Sequence, residues 1–195
     1  MTGQLSLPGF GSDSGTLCNF FLALLPSPPA AAAIGRIQQQ LLAMVGQPAR
    51  AIRSGCLHVS LQFLGCATDL PLHVRNAVHT AAQDLALAPF EVTFDRCLNF
   101  KSAAGGSHPV VLSGPDARTD IHALRQALST QLAHHGIACR ARASFTPHLT
   151  LLYAAAAAPE RSVEPIRWLV DEIVLVRSVI GRARYEICGR WPLCG

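Results

Sequence analysis

Two short stretches constrain the fold more than anything else in the chain: CLHVSLQFLG at 56–65 and FTPHLTLLYA at 145–154. Their histidines lie ninety residues apart, and each is followed at the second position by a hydroxyl residue, His58 by Ser60 and His148 by Thr150. Both stretches are apolar enough to be buried strands. Alternation along a strand puts His58, Ser60 and Gln62 on one face and Leu57, Val59, Leu61 and Phe63 on the other. By the same rule His148 shares a face with Thr150, and Tyr153 points away from it unless a bulge intervenes. A supersecondary device used twice predicts a fold with two similar halves.

The rest of the chain fits between and around these strands. A first strand is expected at about 17–25, then a helix in AAAAIGRIQQQLLAM, where Ile34, Ile37, Leu41 and Met44 form a stripe. Helical spacing recurs from Leu70 to Leu85 and, after strands at 90–100 and 109–114, from Ile121 to Leu132. Asp116 or Thr119 is the expected cap of that last helix and Gly136 its stop. Beyond the second His strand, IRWLVDEIVLVRS and ARYEICGRWPL read as two closing strands turning at Gly181. The fold class is therefore α+β: two pseudo-symmetric lobes of mainly antiparallel sheet flanked by helices, with a central cleft. Residues 1–15, rich in Gly and Ser, are expected to be an arm, and 16–195 a single two-lobed domain.

Composition narrows the function classes. With 50% hydrophobic and 14% charged residues the chain reads as a globular protein, and a net charge of +4 is too mild to mark a nucleic-acid-coating surface. Seven cysteines without a Cys-x-x-Cys pair point to core thiols in a reducing compartment. The run LCNFFLALLP has no basic residue before it, the first being Arg36, and is too short to span a bilayer. A cytoplasmic monomer without membrane attachment is the expectation.

On the motifs LHVSLQFLG and FTPHLTLLY, the first strand FFLALLP and the tail VLVRSVIGRARYEICGRWPL, the chain resembles the two-histidine (2H) phosphoesterase superfamily. Within it the likeness is to bacterial RNA 2′,3′-cyclic phosphodiesterases, also called 2′-5′ RNA ligases. The resemblance implies that His58 is the general acid and His148 the general base, with Ser60 and Thr150 holding the phosphate. The residues themselves leave the acid and base assignments interchangeable. Family members often carry Arg where this chain has Tyr153; Arg140 and Arg142 are the available replacements for phosphate binding.

The chemistry suits the pair. Opening a cyclic phosphate needs a base for water and an acid for the departing oxygen, and imidazole can serve as either near neutrality. Hydroxyls beside it can donate to phosphate oxygens as charge builds. Neither motif carries a carboxylate or thiolate at metal-ligand spacing, so no metal and no cofactor is expected. The expected partners are RNA ends or nucleotide 2′,3′-cyclic phosphates. Two other readings remain open: action on 2′-5′ linkages, and a non-catalytic nucleotide- or RNA-binding module on the same fold.

Overall fold

A computed structural model describes residues 15–45, 48–100, 107–115, 117–138 and 145–195. Residues 1–14 of the expected 1–15 arm, the proposed cap Asp116, and Arg140 and Arg142 lie outside the described residues. In chain order the elements are β1 (Cys18–Leu24), α1 (Pro28–Val45), β2 (Ala49–Ala51), a 3₁₀ turn (Ser54–Cys56), β3 (Val59–Ala67), α2 (Leu72–Gln83) and β4 (Phe90–Asn99). There follow β5 (His108–Ser113), α3 (Ala117–His134), β6 (Leu149–Ala154), β7 (Arg161–Val170), β8 (Glu172–Val179) and β9 (Tyr185–Pro192).

The described strands form one antiparallel sheet in the order β7-β4-β5-β6-β3-β1-β8-β9, with β2 added alongside β6. The two expected lobes are the two halves of this sheet, four strands on each side of the β6/β3 junction. That junction is narrow: β3 and β6 are matched at Val59 and Leu149 alone. The two His strands are thus direct neighbours at the centre of the molecule, and the halves diverge from a single shared residue pair.

One face of the sheet carries the main core. β1 divides its apolar residues between the two faces, with Cys18, Phe20, Leu22 and Leu24 entering the large cluster and Phe21 and Ala23 a small separate one. A strand buried on both sides reads as a continuous apolar run, which is why CNFFLAL shows no alternation. The large cluster also takes Ile34, Ile37 and Leu41 from α1, Val78 and Ala81 from α2, and Ile121, Leu124, Leu128 and Leu132 from α3. All three helical stripes therefore bury against one continuous core. In the β4/β7 half, Phe94 stacks on Trp168 at 5.0 Å, an arrangement worth about 0.5–1.5 kcal/mol beyond its area.

Several boundaries differ from expectation. α1 opens at Pro28 and Pro29, two residues before the expected helical stretch, since a first-turn proline loses no intrahelical hydrogen bond. α3 begins at Ala117, so Thr119 is inside the helix and not its cap. The segment IRWLVDEIVLVRS is two strands. β7 ends at Val170 as an edge strand beside β4, and after Asp171 the chain re-enters at β8 in the other half. Pro165 is tolerated in β7 because an edge strand has a side with no ladder to complete. The three-residue β2 is too short for any periodic signal.

Candidate active site

Each motif histidine stands one residue before its strand, not in its middle, β3 starting at Val59 and β6 at Leu149. About the Val59/Leu149 pair the two motifs are related as by a local two-fold axis. His58 precedes and Ser60 follows Val59, as His148 precedes and Thr150 follows Leu149. His58 donates its Nδ1 hydrogen to the Cys56 carbonyl at 2.9 Å, and His148 donates its Nδ1 hydrogen to the Thr146 carbonyl at 2.7 Å. A carbonyl can only accept, so both neutral imidazoles carry their hydrogen on Nδ1 and present a lone pair on Nε2. The lead-in to His148 is further pinned by Ser113, whose buried hydroxyl donates to the Pro147 carbonyl at 3.0 Å.

At Nε2 the motifs part. The Ser60 hydroxyl donates to His58 Nε2 at 3.0 Å, whereas His148 Nε2 has no hydrogen-bond partner among the described residues. The His58 ring packs against Phe21, 4.9 Å away, and Tyr185, 5.3 Å away and edge-on, and these two rings also meet each other at 5.6 Å. His148 has Phe100 against it at 4.4 Å.

Both motif strands depart from simple alternation, and at the same place. In the β1/β3 ladder Ala23 faces Ser60 and Leu22 faces Gln62, so Leu61 is an extra residue. In the β5/β6 ladder Val111 faces Thr150 and Val110 faces Leu152, so Leu151 is an extra residue. Each bulge falls three residues after its histidine and inverts the faces beyond it. Gln62 therefore turns opposite Leu22 and is buried, correcting the expectation that it shares the His58 face. Phe63 comes opposite Phe21 and is 57% exposed, where alternation would have put it in the core. The same inversion places Tyr153 on the face of His148 and Thr150, with Leu151 and Leu152 both buried.

Electrostatics shows that these side chains share one environment. Burial lowers the His58 pKa from its ordinary value; the Cys56 carbonyl opposes this, and the charge of a protonated His148 adds to it. Burial likewise lowers the His148 pKa, against the opposing pull of the Thr146 carbonyl. Tyr185 is pushed up to about 12, by burial first and then by Cys56 and Tyr153. The chain has two tyrosines, and Tyr153 is near enough to Tyr185 to oppose its ionisation. At neutral pH, then, the site holds two predominantly neutral imidazoles and a phenol that stays a hydrogen-bond donor.

Comparison with known proteins settles the kinship of the chain. The family model of the 2′-5′ RNA ligase superfamily matches residues 26–181. The chain belongs to that superfamily, the 2H phosphoesterases. Its fold is similar to that of E. coli LigT in its apo form, with a TM-score of 0.72 and 22% identity, covering 92% of this chain and 99% of LigT. It is also similar to TT0787 of Thermus thermophilus, with a TM-score of 0.74 and 19% identity, covering 91% and 98% of the two chains. A third neighbour, described as a phosphoesterase, has a TM-score of 0.69 and 22% identity over 91% of this chain and 99% of its own. No curated protein matches the chain.

Within this 2H phosphoesterase framework the structure brings together His58, His148, Ser60, Thr150 and Tyr153. Arg142, expected to bind phosphate, lies outside the described residues. Phe21, Phe100 and Tyr185 also pack against the two imidazoles, with Phe63 opposite Phe21, and no signal in the sequence points to these aromatics. Three of the other six histidines have contacts elsewhere. His79 Nδ1 accepts the Trp191 indole hydrogen at 3.1 Å, His135 pairs with Asp84 at 3.1 Å, and His122 meets the edge of Phe145. Glu172 pairs with Arg190 and Asp171 is exposed, so the two form no carboxylate dyad. Among the described residues no helix is long and apolar enough to cross a membrane.

Proposed function

We propose that this 2H phosphoesterase hydrolyses a 2′,3′-cyclic phosphate, at an RNA end or on a nucleotide, to a 2′-phosphate without a metal. The observation that carries the reading is the pair of imidazoles held at the junction of the two halves, each with Nδ1 committed to a backbone carbonyl and Nε2 left for chemistry. LigT has been solved in complexes with ATP, 3′-AMP, NADP+ and phosphate, and the proposal carries a nucleotide-class ligand over to this chain.

In the proposed reaction a water oxygen attacks phosphorus while His148 Nε2 takes its proton. The bond from phosphorus to the 3′ oxygen breaks, and that oxygen takes the proton from His58 Nε2. The cycle closes when His148 loses its proton to solvent and His58 regains one. His58 must enter protonated, and then its Nε2 no longer accepts from Ser60. The Ser60 hydroxyl is thereby released to donate to a phosphate oxygen, with Thr150 donating from the other strand. Phe63, Tyr153 and Tyr185 offer aromatic faces for a base and, in Tyr185, a lasting donor.

The test is a panel of 2′,3′-cyclic nucleotides, RNA ending in a cyclic phosphate, and 2′-5′ dinucleotides, each with and without chelator. Turnover of the cyclic phosphates to 2′-phosphates, indifferent to chelator, is the expected result. A 3′-phosphate product would reverse the acid and base assignment, and loss of activity with chelator would end the metal-free reading. Turnover confined to 2′-5′ dinucleotides would move the substrate class, and binding without turnover would make the chain a binding module.

A further inference from the structure

The two bulges have something else in common: each bulged leucine presents its carbonyl to a side chain from a helix. Gln38 of α1, 7% exposed, donates from Nε2 to the Leu151 carbonyl at 2.7 Å and to the Ile52 carbonyl at 2.9 Å. The Leu151 carbonyl also accepts the Ile52 N–H at 2.8 Å. Arg125 of α3 donates from Nε to the Leu61 carbonyl at 3.0 Å, and its guanidinium lies over the Phe145 ring at 4.4 Å.

These contacts are reciprocal. Gln38 joins the bulge of the second motif strand to Ile52, on the segment leading into His58. Arg125 joins the bulge of the first motif strand to Phe145, on the segment leading into His148. The halves otherwise meet at the centre through the Val59/Leu149 pair and the short β2, so little backbone pairing fixes their relative setting. A bulge is also a place where a ladder hydrogen bond is missing and the strand can slip. An amide that gives one hydrogen to each of two carbonyls satisfies that gap and fixes its position at once.

We propose that Gln38 and Arg125 are a pair of positioning residues that clamp the two motif bulges and thereby set the relation of the two imidazoles and of the hydroxyls beside them. Neither side chain touches the reacting atoms. Each acts through the backbone carbonyl three residues after a histidine, from the helix that precedes the other motif.

The inference rests on the proposed hydrolysis for its kinetic readout, so a second readout needs no substrate. Gln38→Met and Arg125→Met keep the chain's bulk and remove the donors, while Arg125→Lys restores one. Imidazole NMR titrations follow how far His148→Gln shifts the His58 midpoint, first in the native background and then in each variant. The clamps predict a clear shift in the native background that shrinks in both Met variants and largely returns with Lys. They also predict a kcat loss of about tenfold to a hundredfold, as expected for slightly misplaced groups, with KM changed less than about threefold. A folded Arg125→Met that keeps native kcat and native coupling overturns the proposal, and this variant decides alone if Gln38→Met fails to fold. If the native protein turns over nothing on the substrate panel, the hydrolysis reading falls while the titrations still decide the clamps.

Discussion

The two motifs are built alike down to the hydrogen bond on Nδ1 and the bulge after the hydroxyl, yet their reactive nitrogens stand in different states. His58 Nε2 already accepts from Ser60, and its ring packs against Phe21 and Tyr185. His148 Nε2 has no partner among the described residues, and one ring, Phe100, lies against it. A repeated supersecondary unit therefore supplies two imidazoles of the same tautomer with unequal readiness. The lone pair available at once is on His148, as a base requires. His58 must first gain a proton and release a hydroxyl, as fits an acid coupled to a phosphate donor.

The strongest way to break this comparison is to remove each imidazole. His58→Ala and His148→Ala should each lose about 10²–10⁴-fold in kcat/KM on a 2′,3′-cyclic nucleotide, with circular dichroism unchanged. On the proposal that both act in one transition state, the double variant should fall little below the worse single one. Multiplying losses would mean that the two rings serve separate events, and the shared site would be wrong.

Removing the hydroxyls sharpens the difference between the halves. Ser60→Ala and Thr150→Ala should each lose at most about 10²–10³-fold, the effect of one donor to a charged oxygen. Their pH profiles should differ. Both imidazole pKa values are lowered by burial, so the kcat/KM bell should lie on the acid side of the ordinary histidine value of about 6.5. Ser60 stabilises neutral His58 by donating to it, so Ser60→Ala should move the limb governed by His58 to higher pH. Thr150→Ala should leave both limbs in place, since it makes no such bond among the described residues. A matching shift in both variants would remove the asymmetry.

How much of this was legible in the sequence follows from what kind of signal each feature leaves. The His strands, their pairing of residue types and the helical stripes of Ile34/Ile37/Leu41 and Ile121/Leu124/Leu128 are periodic, and periodicity survives into structure. The bulges are not periodic. Leu61 and Leu151 look like ordinary core residues, and the inversion they cause moves Gln62 inward and Phe63 and Tyr153 outward. Tyr185 reaches His58 through the sheet order, which sequence spacing does not encode. β7 was hidden because its break from β8 at Asp171 leaves the apolar run intact on both sides. Gln38 sat unremarked in QQQ, where nothing distinguishes the buried one of three glutamines.

The aromatics brought out by the bulges give a smaller test of the comparison. Phe63 is exposed beside Phe21 and has no core role at that position, so Phe63→Ala should raise KM by about 5–150-fold, corresponding to roughly 1–3 kcal/mol for one stacked base, while kcat changes little. Tyr153→Phe keeps the face and removes the phenol, and should cost no more than a few-fold. If Tyr153→Phe proves the more damaging of the two, the phenol at that position contacts phosphate, as the family's arginine does, and the bulge has placed a specificity residue and not a platform.

The smallest expected effect is on stability, and it tests the neutral pair that both halves share. Both imidazoles have folded pKa values below the ordinary value they recover on unfolding. Between those values the unfolded chain binds more protons than the folded one, so stability rises with pH there. The contribution is complete above about pH 6.5 and is lost progressively as the pH falls toward the folded values. Glutamine in place of either histidine removes a titrating group without emptying its space. His58→Gln and His148→Gln should therefore each narrow the drop in Tm between pH 7 and pH 5, by roughly 2–4 °C for each kcal/mol of linkage removed in a chain of this size. Either substitution also removes the repulsion between the two protonated rings, which belongs to the pair and not to one histidine. Native-like drops in both variants would show that the imidazoles titrate as they do in solvent, and the enclosed, predominantly neutral pair on which the asymmetry depends would be lost.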